Sequence, residues 1–224
     1  MFLHSSSFTP IDLEPVMVDG RRLYPVPSGG KYPSITTVLG VCPKKKQKLN
    51  EWKKRVGVDN AQAISTRAAS RGTIYHKIVE DYLNNCYNRD THKEHPLPLL
   101  MFKRSIPTLN RITKIYLQEA ALYSDHLEVA GRVDCIGEFD GIPSVIDFKT
   151  SKEAKKEEWM EDYYIQETVY GCMFYEMYKT RMKQLVTIVA CEDGDTQVVI
   201  KKPEKYYLDR FIELRSLYQE IHGG

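Results

Sequence analysis

The sequence predicts an α/β fold with a mixed central β-sheet flanked by helices, plus a helical N-terminal layer. Along the 224 residues, helical patterns come first, followed by three strand patterns, a helix, two strands and a final helix. Asp-Gly pairs at 19–20, 140–141 and 193–194 lie between strand patterns, and Asp-Gly is a strong signal for a tight hairpin loop. We expect a single domain, with an N-terminal hairpin and basic helical layer at 1–70 and the main α/β core at 71–224.

The N-terminal elements follow from turn signals and apolar periodicity. Residues 14–26 predict a small hairpin around the first Asp-Gly pair, and a serine or threonine can cap a short helix within 34–39. Further helices are expected at 47–56, 59–87 and 98–110. The helix at 59–87 carries apolar residues at i, i+4 spacing, which is typical of one buried helix face.

The second half of the chain alternates strands with helices. The expected elements are strands at 114–124, 127–139 and 142–150, a helix at 157–180, strands at 184–191 and 196–201, and a last helix that begins at Pro203. Proline is favoured in the first turn of a helix, which supports the last boundary.

Charge is balanced over the whole chain but not locally. The net charge is only +2, with 42% apolar and 28% charged residues, so global charge does not indicate a nucleic-acid partner. The segment from Pro43 to Arg71, however, contains nine basic residues and only two acidic ones. A solvated helix face would explain this block as well as a phosphate-binding surface would. The candidate DNA-binding residues are Lys44, Lys45, Lys46, Lys53, Lys54, Arg55 and the interleaved Trp52.

The cysteines and the apolar runs exclude several classes of protein. The five cysteines are scattered and form no C-x-x-C pair, which argues against a disulfide framework, a zinc knuckle or an iron–sulfur cluster. No apolar run approaches the roughly 20 residues of a membrane span. The N-terminal residues lack the features of a secretory or transit peptide. We therefore expect a cytoplasmic protein in a reducing compartment, without a membrane partner.

Two aspartates are placed symmetrically around the second Asp-Gly pair. If Asp140-Gly141 is the loop, Asp134 and Asp147 lie directly opposite each other on one face of the hairpin. Like charges at such positions are destabilising. A divalent cation between the carboxylates would offset the repulsion, as would protonation of one of them.

Lys149 adds a positive charge to this face, because it follows Asp147 by two residues. Two acids and a lysine supply metal ligands plus a fixed cation, a set that suits phosphodiester hydrolysis. Asp-x-Lys alone occurs by chance in many proteins, and the opposed Asp134 makes the pattern more specific.

Glu119 is an acid on an otherwise apolar strand face, which is costly without a partner. If Asp125-His126 forms the preceding turn, Glu119 lies opposite Arg132 and diagonal to Asp134. A simple ion pair between Glu119 and Arg132 is the alternative explanation.

Three further candidates lie on helices. His76 is at the edge of an apolar helical stripe, and Gln166 and Tyr170 are one turn apart on a later helix. A structural role explains each of them equally well when it is considered alone.

Together these motifs resemble the PD-(D/E)XK nuclease superfamily in its RecB-like branch. The motif order is G-x-x-x-H, a strand glutamate, G-x-x-D, D-x-K-T and Q-x-x-x-Y. The matching residues are Gly72 to His76, Glu119, Gly131 to Asp134, Asp147 to Thr150, and Gln166 to Tyr170. Within the branch, YPSITTVLG, LYS and AGRVDCI most resemble the mitochondrial genome maintenance exonucleases and their phage-encoded relatives. Val133 replaces the proline of the superfamily's name, as is common in this branch.

The resemblance implies a restriction-endonuclease-like core and assigns roles to the site residues. The metal ligands for Mg²⁺ or Mn²⁺ are then His76, Asp134, Asp147 and the Phe148 carbonyl oxygen. Lys149 becomes the catalytic lysine and Glu119 an outer or second-metal acid. Gln166, Tyr170, Arg71 and Thr150 would support the site or contact DNA. The cluster cysteines of some relatives are missing, so no iron–sulfur cluster is expected.

The sequence therefore predicts a Mg²⁺- or Mn²⁺-dependent exonuclease on single-stranded DNA, in the cytoplasm of a bacterial or phage-infected cell. A structure-selective or double-strand endonuclease on the same scaffold is the alternative within the enzyme class. A DNA-binding module with a decayed site and an unrelated metal-binding hydrolase are alternatives outside it.

Overall fold

A six-stranded mixed sheet forms the centre of the protein in a computed structural model that describes residues 1–223. Its strand order is β1-β5-β6-β7-β8-β9. The strands are β1 (Leu3–His4), β5 (Ile112–Ser124), β6 (Val129–Phe139), β7 (Ile142–Ser151), β8 (Gln184–Cys191) and β9 (Thr196–Lys201). Strands β1 and β5 pair in parallel, as do β7 and β8, and the other neighbours are antiparallel. The predicted α/β class with a mixed sheet is confirmed.

A second, smaller sheet lies near the N-terminus. It comprises β2 (Val16–Val18), β3 (Arg21–Pro25) and β4 (Lys31–Pro33). The predicted hairpin accounts for the first two strands, with Asp19 and Gly20 at φ 50° and 75°. The third strand and β1 were not predicted, because strands this short carry little periodic signal.

Six helices flank the sheets within residues 1–223. They are α1 (Ile35–Leu39), α2 (Pro43–Val56), α3 (Val58–Leu83), α4 (Pro96–Leu109), α5 (Glu161–Tyr178) and α6 (Lys205–His222). Helix α2 begins four residues before its predicted start, because Pro43 fits the first helical turn. Helix α3 ends before its predicted boundary, since Asn85 adopts a left-handed conformation at φ 59°. Helix α5 starts later than predicted, as a 3₁₀ turn occupies Glu157–Trp159.

Helices cover both faces of the central sheet. Helices α3 and α4 enclose one core, which includes Tyr75, Phe102 and Ile146. Helices α1, α5 and α6 enclose the other, which includes Val38 and Phe211. The sheet is therefore buried on both sides, and polar side chains between the layers need specific partners. Among the described residues 1–223, no helix has the length and apolar character that crossing a membrane requires.

The hairpin between β6 and β7 has the predicted loop. Asp140 and Gly141 take φ values of 53° and 75°, as a two-residue type I′ turn requires. Phe139 pairs with Ile142, and the register continues to Cys135 and Ile146.

The turn between β5 and β6 differs from the prediction. It spans four residues, 125–128, where Asp125-His126 alone was expected, and Glu128 takes φ 48°. As a result Arg132 pairs with Ala121, and the expected pairing of Arg132 with Glu119 is wrong. Glu119 instead lies across from Asp134, between the pairs Gln118–Cys135 and Ala120–Val133. A shift of two residues preserves side-chain parity, so Glu119 still reaches the acidic cluster.

Candidate active site

The candidate site lies where β6 and β7 stop pairing. The last paired residues are Cys135 and Ile146, one position before Asp134 and Asp147. There Asp134 Oδ2 accepts a hydrogen bond of 2.8 Å from the Phe148 backbone N–H. The aspartate side chain thus satisfies a backbone donor that the ladder leaves free. The two predicted aspartates lie at a fork in the sheet, beyond the end of the regular ladder.

Three side chains that could ligate a metal ion converge at this fork. His76 Nδ1, on α3, is 3.6 Å from Asp134 Oδ1 and 4.0 Å from Glu119 Oε1. His76, Glu119 and Asp134 each offer one potential ligand atom, and these three atoms all lie within 4.8 Å of one another. The backbone of Glu119 is left-handed at φ 44°, which costs about 1–2 kcal/mol for a residue with a Cβ atom. That unusual conformation places Glu119 in the cluster.

The electrostatics of the cluster favour a cation. Burial raises the pKa of Glu119 to about 7, and the charges of Asp134 and Glu80 add to the rise, against the opposing effects of Arg132 and Lys77. Burial and the neighbouring acids thus outweigh Arg132 and Lys77 at the Glu119 carboxyl group. Carboxylate oxygens suit Mg²⁺ and Mn²⁺, and imidazole is a common ligand for transition metals. The donor set fits a divalent cation.

Asp147 and Lys149 form an ion pair beside the cluster, on the α5 side of the sheet. Burial raises the pKa of Asp147 above its ordinary value, against the lowering effect of Lys149, and Asp134 raises it further. Burial opposes the charged form of Lys149, yet Asp147 and Asp134 hold the pKa of its ammonium above the ordinary value. Lys149 is therefore a fixed positive charge at neutral pH.

Sequence reasoning missed a buried acid beside this pair. Glu167, on α5, is fully buried and accepts a hydrogen bond from the Thr187 hydroxyl through Oε1. Its Oε2 has no protein partner within residues 1–223. Burial raises the pKa of Glu167 well above its ordinary value, and Asp147 adds to the shift. The sequence signal that could have revealed it is an acidic residue directly after Gln166, within a predicted helix.

Two motifs contact each other through a tyrosine and a glycine. The Tyr170 hydroxyl donates a hydrogen bond of 2.6 Å to the backbone oxygen of Arg132. A Cβ atom on Gly131 would lie only 2.9 Å from that hydroxyl. Gly131 therefore leaves room for Tyr170 against β6. Gln166 lies one turn earlier on α5 and is half-buried.

Arg71 and Thr150 meet at the other side of the site. Arg71 Nε donates a hydrogen bond of 3.2 Å to Thr150 Oγ1, and the Arg71 guanidinium also pairs with Glu192. A Cβ atom on Gly72 would meet Thr150 Oγ1 at 3.7 Å, an ordinary contact. These contacts hold the helix that carries His76 against the end of β7.

The basic helix α2 is exposed and has no buried residue. Lys45 Nζ pairs at 2.8 Å with Asp162 in the first turn of α5, which connects the helix to the element that packs against the site. Trp52 is half-buried. Of the basic candidates on α2, the structure thus ties Lys45 to α5, and no salt bridge within residues 1–223 joins any of them to the acidic cluster.

The chain is similar to known exonucleases over part of its length. It is 30% identical to mitochondrial genome maintenance exonuclease 1 of Mus musculus over 130 residues, which is 55% of this chain. The Homo sapiens protein of the same name is 30% identical over 132 residues, again 55% of this chain. In both comparisons the match covers 38% of the relative, so the chain spans well under half the length of these curated proteins. No protein-family model matches the chain.

A solved structure is also similar. A candidate exonuclease from Eubacterium rectale aligns with a TM-score of 0.44 and 11% identity, covering 66% of this chain and 64% of that one. Both curated relatives are named as mitochondrial, whereas a bacterial or phage-infected cell was expected from the sequence. That localisation stays a prediction.

Proposed function

We propose that this protein is a metal-dependent deoxyribonuclease of the PD-(D/E)XK superfamily that hydrolyses phosphodiester bonds, acting as an exonuclease on single-stranded DNA. The observation that carries the proposal is the fork at which His76, Glu119 and Asp134 converge beside the Asp147–Lys149 pair. The exonuclease names of the partial relatives and the order of the five motifs support the same assignment.

The residues of the fork would have different roles in cleavage. His76, Glu119 and Asp134 would hold a Mg²⁺ or Mn²⁺ ion, with Asp147 beside them. When bound, the ion supplies Lewis-acid charge that offsets the negative charge of the phosphate.

Lys149 contributes a charge that does not depend on a cofactor. Its ammonium is held by Asp147 and can donate a hydrogen bond to a phosphate oxygen or orient the attacking water. Because the group is already positioned, little reorganisation is needed as negative charge develops.

The exposed lysines of α2 would guide the DNA strand to the fork. A row of cations suits the sugar–phosphate backbone and needs no particular base sequence. The half-buried Trp52 in the same helix offers a ring on which a base can stack.

The test compares two single-stranded substrates, an end-labelled linear DNA and a circular DNA, each in Mg²⁺, Mn²⁺ or EDTA. Asp147→Asn is the inactive control. Metal-dependent loss of the linear strand alone supports an exonuclease that needs a free end. Cutting of both forms changes the assignment to endonuclease. Binding of DNA without cleavage in any metal contradicts the proposal and favours a non-catalytic DNA-binding module.

A further inference from the structure

The loop that follows β7 carries a lysine whose backbone is fixed on both sides. Lys155 N–H donates a hydrogen bond of 2.9 Å to Gln197 Oε1 on β9. The Gln197 amide returns a hydrogen bond of 2.8 Å from Nε2 to the Lys155 carbonyl oxygen. These two hydrogen bonds to the Gln197 side chain fix the position of the Lys155 backbone. This loop residue is anchored to the sheet.

The side chain of Lys155 shares a tyrosine with the proposed catalytic lysine. Lys155 Nζ donates a hydrogen bond of 2.6 Å to the Tyr163 hydroxyl and lies 5.0 Å from the centre of its ring. Lys149 Nζ lies 5.2 Å from the centre of the same ring. Both ammonium groups therefore lie close to Tyr163, in the first turn of α5.

The two ammonium groups differ in their partners. Lys149 is paired with Asp147, whereas Lys155 has no carboxylate within salt-bridge distance among residues 1–223. An anchored, unneutralised ammonium beside a phosphodiester-cleaving site is well suited to hold a phosphate.

We propose that Lys155 binds a backbone phosphate of the DNA strand next to the phosphate at Lys149, with Tyr163 and Gln197 as positioning residues. The ligand is a phosphodiester of the strand, and no base is read. The inference rests on the proposed function and adds a subsite to it.

Lys155→Gln tests the subsite by direct binding. Fluorescence anisotropy with a labelled single-stranded oligonucleotide in EDTA reports affinity without cleavage. Removal of one charge-assisted hydrogen bond should raise Kd by about tenfold. It should also reduce the slope of log K against log salt by about 0.7. Lys155→Arg should keep most of the affinity, and Gln197→Ala should give an intermediate loss because the ammonium remains but its anchor is gone.

Lys202→Gln is the matched control. Lys202 is exposed and lies beside Gly141, at the opposite end of β7 from the site, so the substitution removes the same charge elsewhere. Equal affinity and salt slope for Lys155→Gln and Lys202→Gln would overturn the subsite while leaving a cleaving wild-type enzyme intact. A wild-type protein that neither binds nor cleaves DNA would overturn the proposed function and the subsite together.

Discussion

At the scale of single residues, Lys149 is the most informative position. Replacing it with alanine removes the charge that Asp147 holds at the fork. We expect Lys149→Ala to lower the single-turnover cleavage rate by at least about 10²-fold, a typical effect of losing one positioned donor. Single-stranded DNA binding should change little, as most of it comes from other cations. Cleavage by Lys149→Ala at the wild-type rate would refute the mechanism.

Glu119 couples stability to pH in the metal-free protein. Its pKa is raised from 4.5 to about 7, so the folded state keeps a proton that the unfolded state releases. This contribution to the free energy of unfolding is present below about pH 4.5 and is lost as the pH rises through about 7. Metal ligands must be deprotonated, so Mg²⁺ should raise the unfolding temperature more at about pH 8 than at about pH 5.5.

Thermal unfolding in EDTA and in Mg²⁺ at both pH values provides the measurement. Glu119→Gln is the control, because the amide cannot titrate and should weaken the pH dependence of both effects. An equal rise of the unfolding temperature with Mg²⁺ at the two pH values would argue against a metal site at Glu119.

The sequence allowed some of these residues to be predicted but not others. Asp134, Asp147 and Lys149 could be placed together because a two-residue turn fixes the register around it. The partner of Glu119 could not, since the length of the preceding turn decides it. Glu167 and Tyr163 were missed because their neighbours depend on how α5 packs over the sheet, which no local pattern records.

At the scale of elements, the glycines of two motifs have different roles. Gly131 leaves space for Tyr170, whose hydroxyl would be 2.9 Å from a Cβ atom, whereas Gly72 has 3.7 Å to Thr150 Oγ1. We expect Gly131→Ala to destabilise the protein by about 1–3 kcal/mol through overpacking. Gly72→Ala should be neutral or stabilising by up to about 1 kcal/mol, because alanine favours a helix.

Urea unfolding of the two variants checks this difference. Both substitutions add one methyl group, so each serves as the control for the other. Equal stability of the two variants would show that the contact between Gly131 and Tyr170 does not constrain the packing of α5 on β6.

Element boundaries show where prediction succeeds. Strands β8 and β9 begin and end at the predicted residues, because each has strong alternation or a continuous apolar run bounded by turn residues. Strands β1 and β4 were not foreseen, since their two and three residues are stabilised by neighbours distant in sequence. The start of α5 was predicted too early, because the residues before it form a 3₁₀ turn.

At the scale of the whole molecule, α2 should dominate the electrostatic attraction of DNA. The lysines Lys44, Lys46, Lys53 and Lys54 are exposed, and the helix has no buried residue, so glutamine at these positions should leave stability within about 0.5 kcal/mol. Binding of single-stranded DNA should weaken, and its salt slope should fall by about 0.7 for each phosphate that the helix no longer neutralises. Anisotropy titrations between about 50 mM and 200 mM salt measure both quantities. An unchanged slope would leave the basic block as a solvated helix face.

Binding of a divalent cation at the fork of β6 and β7 is the property on which the proposed activity depends. An anomalous difference map from a crystal soaked in Mn²⁺ locates the ion without reference to activity. We predict a peak within coordinating distance of His76 and Asp134, with Glu119 or Asp147 beside it. A peak elsewhere, for example at His92 and Asp81, which lie 3.0 Å apart, or no peak at all, would contradict the metal-dependent mechanism.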